Sequence, residues 1–246
     1  MELNSPECQV FLEAVKNGQI EEVEKYLVQY LIFLDLSDNY GRTPLHLAAQ
    51  YGYDSIVELL LERGSTALNS TNNEGATPLH YAARYGHNST TELLLQHGST
   101  SLDTPDEYGV TPLHLAVMCR HGSMVELLLR RGSTSFDTPD ADGDTPLHYA
   151  AFHACNSIVE LLLQYGGTSF NSTNSMGMTP LDLAAENGRD STVKIFKAVG
   201  ATTLPFFSGL STEQIEKLPA PIPEDEILEI RNRIYFRRSL LSQLLL

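Results

Sequence analysis

Cysteine is scarce in this 246-residue chain, with Cys8, Cys119 and Cys155 as its whole complement, too few for a disulfide framework. A reducing, intracellular compartment is therefore expected. Long apolar runs are missing as well. The hydrophobic stretches are only a few residues long, against the ~18 that suggest a membrane span. Several Glu within residues 1–30 argue against a secretory leader. Basic residues are few, 16 Lys and Arg against 31 Asp and Glu, for a formal net charge of −15. Such a surface repels phosphate backbones and anionic lipid, so nucleic acid and membrane are not expected partners, whereas a protein with a basic patch is. Catalytic signatures are lacking too: no Gly-rich phosphate loop, HExxH helix, nucleophile elbow or paired-acid motif occurs. The chain is expected to be no enzyme, to need no cofactor and to work in the cytoplasm as a monomer. Export as an effector by a route without a signal peptide is left open.

What the chain does have is repetition. Thr43-Pro44-Leu45-His46-Leu47-Ala48-Ala49 returns, nearly unchanged, at Thr77, Thr111, Thr145 and Thr179, at a step of 34 residues. A period of this size marks a solenoid whose units each bury one face against the next. Thr43 suits a helix N-cap and Pro44 the first helical position. The first helix of the unit should stop at Gly52 and the second, carrying Ile56 to Leu61, at Gly64. Ala48 and Ala49 allow close approach. Helices this short are marginal alone, so stacking must supply their stability. Shifting back by 34 residues sets Ala14, Gly18, Val23 and Leu27 under Ala48, Gly52, Val57 and Leu61. Residues 1–37 thus read as a degenerate capping unit whose polar positions face water, with Met1 to Glu7 as a loose leader.

The heptad, the Gly52 turn, Val57-Glu58-Leu59-Leu60-Leu61 and Gly64 resemble the ankyrin repeat, and they recur from Tyr40 to about Gly200. The implied fold is an all-α ankyrin-repeat solenoid of stacked helix-turn-helix units with short β-hairpin or loop fingers and a C-terminal helical tail. Residues 1–203 are assigned to the repeat domain, with full repeats from about 38, 72, 106, 140 and 174, and residues 204–246 to the tail. The family unit is about 33 residues. The extra residue here falls between the Gly64-type stop and the next Thr-Pro, so the finger roots should be reshaped. The resemblance implies hairpin fingers at Asn69-Ser70-Thr71-Asn72 and its counterparts at Asp103, Asp137 and Asn171. It further implies a non-catalytic scaffold that binds a protein on the concave surface of fingertips and first-helix ends. On the fingers that surface would hold Tyr40, Arg42, Glu74, Glu107, Tyr108, Val110, Asp142, Asp144, Met176 and Met178. At the helix ends it would hold Tyr51, Arg84, Tyr85, Met118 and Phe152. Tyr, Met and Phe recur among these positions, and such residues are enriched at interface cores.

His46, His80, His114 and His148 share one heptad position, with Asp182 in the fifth. Rings one repeat apart, about 8 to 10 Å, cannot share a metal; the resemblance gives them a structural bond to the heptad Thr and to backbone. Cys119, His121, His153 and Cys155 are the unusual cluster, at the turns of two adjacent repeats where Arg120 and Ala154 replace Gly. Their ligand types suit tetrahedral zinc, giving a metal- or redox-stabilised solenoid as one alternative; drift at a tolerant turn is preferred. Asn69, Asn88 and Asn171 begin Asn-x-Ser/Thr triplets, read as loop composition. The columns of Glu58 and Leu61 switch to Lys194 and Lys197 in the last repeat. In the tail, Ile227, Ile230, Ile234, Leu241 and Leu245 recur at near-helical spacing behind Glu224-Asp225-Glu226. Leu218-Pro219, Glu226 to Ile230 and Arg233-Ile234 resemble the start of an F-box, with a spacing off by one residue. That likeness implies a second alternative, a host-directed substrate adaptor that binds a cullin ubiquitin-ligase subunit. The preferred reading is a cap helix over the open end of the stack.

Overall fold

A computed structural model describes residues 6–200, 223–231 and 234. They fall into two compact units, Met1–Leu128 and Leu129–Leu246. In the first unit helices come in pairs: α1 (Pro6–Lys16) with α2 (Ile20–Gln29), α3 (Pro44–Tyr51) with α4 (Asp54–Glu62), and α5 (Pro78–Tyr85) with α6 (Asn88–Gln96). Then come α7 (Pro112–Met118) and α8 (Gly122–Arg130), the last running across the division between the units. The second unit holds α9 (Pro146–Phe152), α10 (Asn156–Tyr165), α11 (Pro180–Glu186), α12 (Asp190–Val199) and α13 over residues 224–231. No strand occurs among the described residues.

The first helix of each pair forms where the heptad dictates. Thr43 is extended, with φ −82° and ψ 167°, and its hydroxyl accepts the His46 N–H while Pro44 fills the first position. Gly52 closes the helix in the left-handed region at φ 70°. The helices opened by the heptad have only seven or eight residues, too few to persist alone, and their stability comes from burial. Leu45, Leu47, Ala48 and Ala49 are fully buried as α3 packs on α5, and α5 packs on α7 in turn. Each such Leu contributes about 1.5–3 kcal/mol. The second unit repeats the arrangement, α9 on α11 and α10 on α12. The degenerate first repeat takes its place as the 34-residue shift predicts: Ala14, Val23 and Leu27 are buried and Glu13, Glu21, Glu24 and Lys25 exposed. Pro6 and Glu7, expected in the leader, already belong to α1.

The fingers differ from the expected hairpins. The segment at Asn69 is the end of a 3₁₀ turn, Ala67–Asn69, and the finger itself is a five-residue turn closed by Asn72 N–H on the Ala76 carbonyl at 2.9 Å. The reason lies in the polar side chain that opens each finger. Asn72 Oδ1 accepts the N–H groups of Glu74 and Ala76, both at 2.9 Å, leaving no row of free donors for a strand ladder. Asp38 and Asp106 do the same in their fingers, as do Asp140 and Asn174 in the second unit. The 3₁₀ turns are themselves tied to the next repeat. Asp35 accepts the Thr66 N–H at 3.1 Å, Asn69 the Thr100 N–H at 3.0 Å and Asp137 the Thr168 N–H at 2.9 Å.

In the second unit α13 lies against α12. Glu226 pairs with Lys194 at 2.9 Å, Arg231 Nε donates to the Ala198 carbonyl, and Ile230 and Ile234 are buried. The switch from Glu to Lys at position 194 thus meets the acidic start of α13. Leu218, Pro219, Arg233, Leu241 and Leu245 lie outside the described residues.

Candidate functional site

His46, His80 and His148 of the heptads each link a helix start to the following finger. His46 Nδ1 accepts the Thr43 N–H at 3.1 Å, and a backbone N–H only donates, so this nitrogen carries no proton. The proton sits on Nε2, which donates to the Ala76 carbonyl at 3.0 Å. His80 reaches the Val110 carbonyl in the same way, and His148 the Met178 carbonyl, both at 3.1 Å. Burial holds His46 down to about 4 although the Ala76 bond works against it, and burial lowers His80 and His148 too. Asp182 ends the series as an acceptor only, taking the Thr179 N–H at 3.0 Å. These residues are scaffold.

The turns between paired helices are held by a second ring. Tyr53 lies over Gly18, His87 over Gly52 and His121 over Gly86, and a methyl group on those glycines would come within 3.0, 2.5 and 2.9 Å of the ring. Each ring also bonds a carbonyl of the earlier repeat: Tyr53 Oη to Lys16 at 3.3 Å, His87 Nε2 to Gln50 and His121 Nε2 to Arg84, both at 3.1 Å. His121 is therefore engaged in the frame. Cys119 is exposed at the end of α7, while in the second unit Cys155 Sγ lies 3.7 Å from the His153 carbonyl. Among the described residues no group of three or more His, Cys, Asp and Glu side chains is arranged to hold a metal ion. Arg120 and Ala154, where the sequence drops glycine, still adopt φ 61° and 56°.

The residues expected to meet a partner divide into exposed and internally engaged. In the first unit Tyr40, Tyr51, Tyr85 and Tyr108 are exposed, as are Glu74, Arg84 and Glu107; Val110 and Met118 are half-buried. Arg42 is drawn inward. Its Nε and Nη2 both reach Asp38 Oδ2, at 2.9 and 2.8 Å, its Nη1 reaches Gln50 at 3.2 Å, and the Tyr40 ring covers it at 5.1 Å. In the second unit Asp142, Phe152 and Met176 are exposed, Met178 is half-buried, and Asp144 accepts from Asn174 Nδ2 at 2.9 Å.

Residues 3–68, 64–140 and 132–203 each match the family model for ankyrin repeats (3 copies). The chain belongs to the ankyrin repeat family. None of the curated proteins matches it. Ankyrin repeats are protein–protein interaction modules, typically non-catalytic, and no helix among the described residues is long and apolar enough to cross a membrane.

Within the ankyrin frame the structure adds residues that the sequence did not single out. Tyr81, in the variable fourth position after its heptad Thr, accepts from Asn72 Nδ2 at 2.9 Å and lines a hollow with Tyr40 and Glu74. Tyr149 holds the same position in the second unit and donates to Asp140 at 2.6 Å; burial and that carboxylate push its hydroxyl well above the usual range. Alternation of Leu47, Tyr81, Leu115, Tyr149 and Leu183 was the available signal.

Proposed function

We propose that this ankyrin-repeat chain is a non-catalytic scaffold that binds a protein partner along its fingertips and the C-terminal ends of α3, α5, α7, α9 and α11. The observation that carries this reading is large side chains exposed where a merely solvated surface would favour polar ones. Tyr40, Tyr108 and Met176 on the fingers are 67%, 59% and 61% exposed, and Tyr51, Tyr85 and Phe152 at the helix ends are exposed as well. Residues of these types anchor interfaces. The turns that bear the fingers are already ordered by Asx bonds, so little freedom is lost on binding. The exposed carboxylates of Glu74, Glu107 and Asp142 suit a partner with a basic patch.

The test is direct. A partner captured from cell extract by the full chain is purified, and its affinity is measured for the parent and for the Tyr85→Ala, Met118→Ala, Phe152→Ala triple variant. At least about tenfold weaker binding is expected. Equal affinity with an intact fold removes this surface from consideration. For residues 204–246 we favour a cap on the repeat domain over an F-box-like module, and the Lys194–Glu226 pair with buried Ile230 and Ile234 supports that choice.

A further inference from the structure

Between the first two fingers lies a hollow of about 230 Å³ lined by Tyr40, Arg42, Asn72, Asn73, Glu74 and Tyr81. Its walls are fixed by bonds that need no ligand. Asn72 holds the Glu74 and Ala76 N–H groups through Oδ1 and the Tyr81 hydroxyl through Nδ2, each at 2.9 Å. Asn73 ties the second finger to the first, its N–H on the Tyr40 carbonyl at 3.0 Å and its Nδ2 on the Asn39 carbonyl at 3.1 Å. The Tyr81 ring stands edge-on to His46, with 5.7 Å between centroids. Arg42 brings a positive charge, neutralised by Asp38 at 2.8 Å, and its guanidinium already lies 5.1 Å from the Tyr40 ring centroid, so a second cation would use the outer face of that 67% exposed ring. Glu74 is the charge left over: it is exposed, and its carboxylate has no hydrogen bond or ion pair among the described residues.

Two aromatic side chains and one uncompensated carboxylate around a preformed hollow are the chemistry of cation recognition. Ring faces attract a cation, the carboxylate pairs with it, and a chain of net charge −15 raises the local concentration of basic segments. An acidic side chain would meet Glu74 and an arginine already neutralised. We infer that this hollow is the subsite for one Lys or Arg side chain of the bound partner, with Tyr40 and Tyr81 as its walls and Glu74 as its counter-charge. The inference rests on the scaffold reading and narrows it to a single contact.

A displayed library of random heptapeptides, selected on the full chain, tests it. Selected peptides are expected to concentrate Lys or Arg at one position. The best of them should bind about three- to fivefold more weakly to Glu74→Gln and about two- to fivefold more weakly to Tyr40→Ala, with melting temperatures unchanged because both side chains are exposed. Enrichment of Asp, Glu or apolar residues at that position, or binding indifferent to both substitutions, overturns the subsite. Peptides that ignore Glu74→Gln and Tyr40→Ala but lose affinity to the Tyr85, Met118, Phe152 triple variant leave the scaffold reading standing without the subsite. A library that yields no binder sensitive to either set of substitutions counts against both.

Discussion

Where a repeat keeps both rings, as at His46 and Tyr53 or His80 and His87, one reaches out near either end of its first helix, and they reach in opposite directions. At the start of α3, His46 extends forward to the Ala76 carbonyl at 3.0 Å, while at the turn before α6, His87 extends back to the Gln50 carbonyl at 3.1 Å. The forward column stays His through four repeats and ends in Asp182. The backward column runs Tyr53, His87, His121 and then gives way to Cys155 and Arg189. Burial separates them. His46, His80, His114 and His148 are at most 1% exposed, so an apolar replacement strands the backbone groups they satisfy away from water. His87 and His121 are half-buried at the surface, where water can take over a lost bond. The same hydrogen bond is therefore compulsory at one end of the helix and optional at the other.

The largest effect expected of this contrast is acid sensitivity of the forward column. His46 is held near 4 in the folded chain against an ordinary 6.5, and His80 and His148 are lowered in the same direction. Above 6.5 these rings are neutral folded or unfolded, and their contribution is fully present. As pH falls below 6.5 the unfolded chain takes up protons that the folded chain resists, so stability drops; for His46 the drop ends where its folded ring titrates, near 4. For His46 the gap is worth on the order of 3 kcal/mol by pH 4. Urea midpoints at pH 7.5, 6.5 and 5 should fall steadily below 6.5, before most carboxylates begin to titrate. A flat profile from 7.5 to 5 would mean that the histidines are not held neutral.

At the turn the informative change is Gly52→Ala. The new methyl group would lie 2.5 Å from His87 Nδ1, and the backbone sits at φ 70°. Left-handed backbone alone costs about 1–2 kcal/mol, and displacing the ring adds the loss of a hydrogen bond, about 0.5–1.5 kcal/mol. A total of about 2 kcal/mol is expected from thermal or urea unfolding, falling to the backbone part when His87→Ala is present as well. Equal losses in both backgrounds would show that ring and glycine act independently.

The heptad, the helix pairs and the degenerate first repeat were legible because their signals are local: a cap, a proline and an apolar period within about ten residues, repeated. The ring-over-glycine contact was not, since it joins residues 35 apart and depends on a left-handed φ that composition does not state. Its trace is present all the same, in the pairs Gly18 and Tyr53, Gly52 and His87, Gly86 and His121. Without it, His121 beside Cys119 suggested a metal ligand. Fingertip position is the signal for Arg42 as a partner contact, and it does not announce the Asp38 carboxylate that holds its guanidinium at 2.8 Å. Tyr81 was not legible because a Leu/Tyr exchange inside a heptad looks like core variation, and only folding sets it beside Tyr40 and Glu74.

The smallest effect is the most pointed, because it asks whether the turn decayed by neglect or for a purpose. Ala154 holds φ 56° in the second unit, and the residue 35 positions on is Arg189, exposed and not a ring. Glycine there would relieve a strained backbone and open space that no ring fills. Ala154→Gly is therefore expected to stabilise the chain, by about 0.5–1 kcal/mol once the greater freedom of glycine in the unfolded state is set against a left-handed penalty of about 1–2 kcal/mol. Loss of stability would mean that the Ala154 methyl group makes contacts worth more than its strain. In that case the turn, far from having drifted, would have exchanged one lock for another, and the contrast between compulsory and optional ends of the helix would hold only for the repeats that keep their glycine.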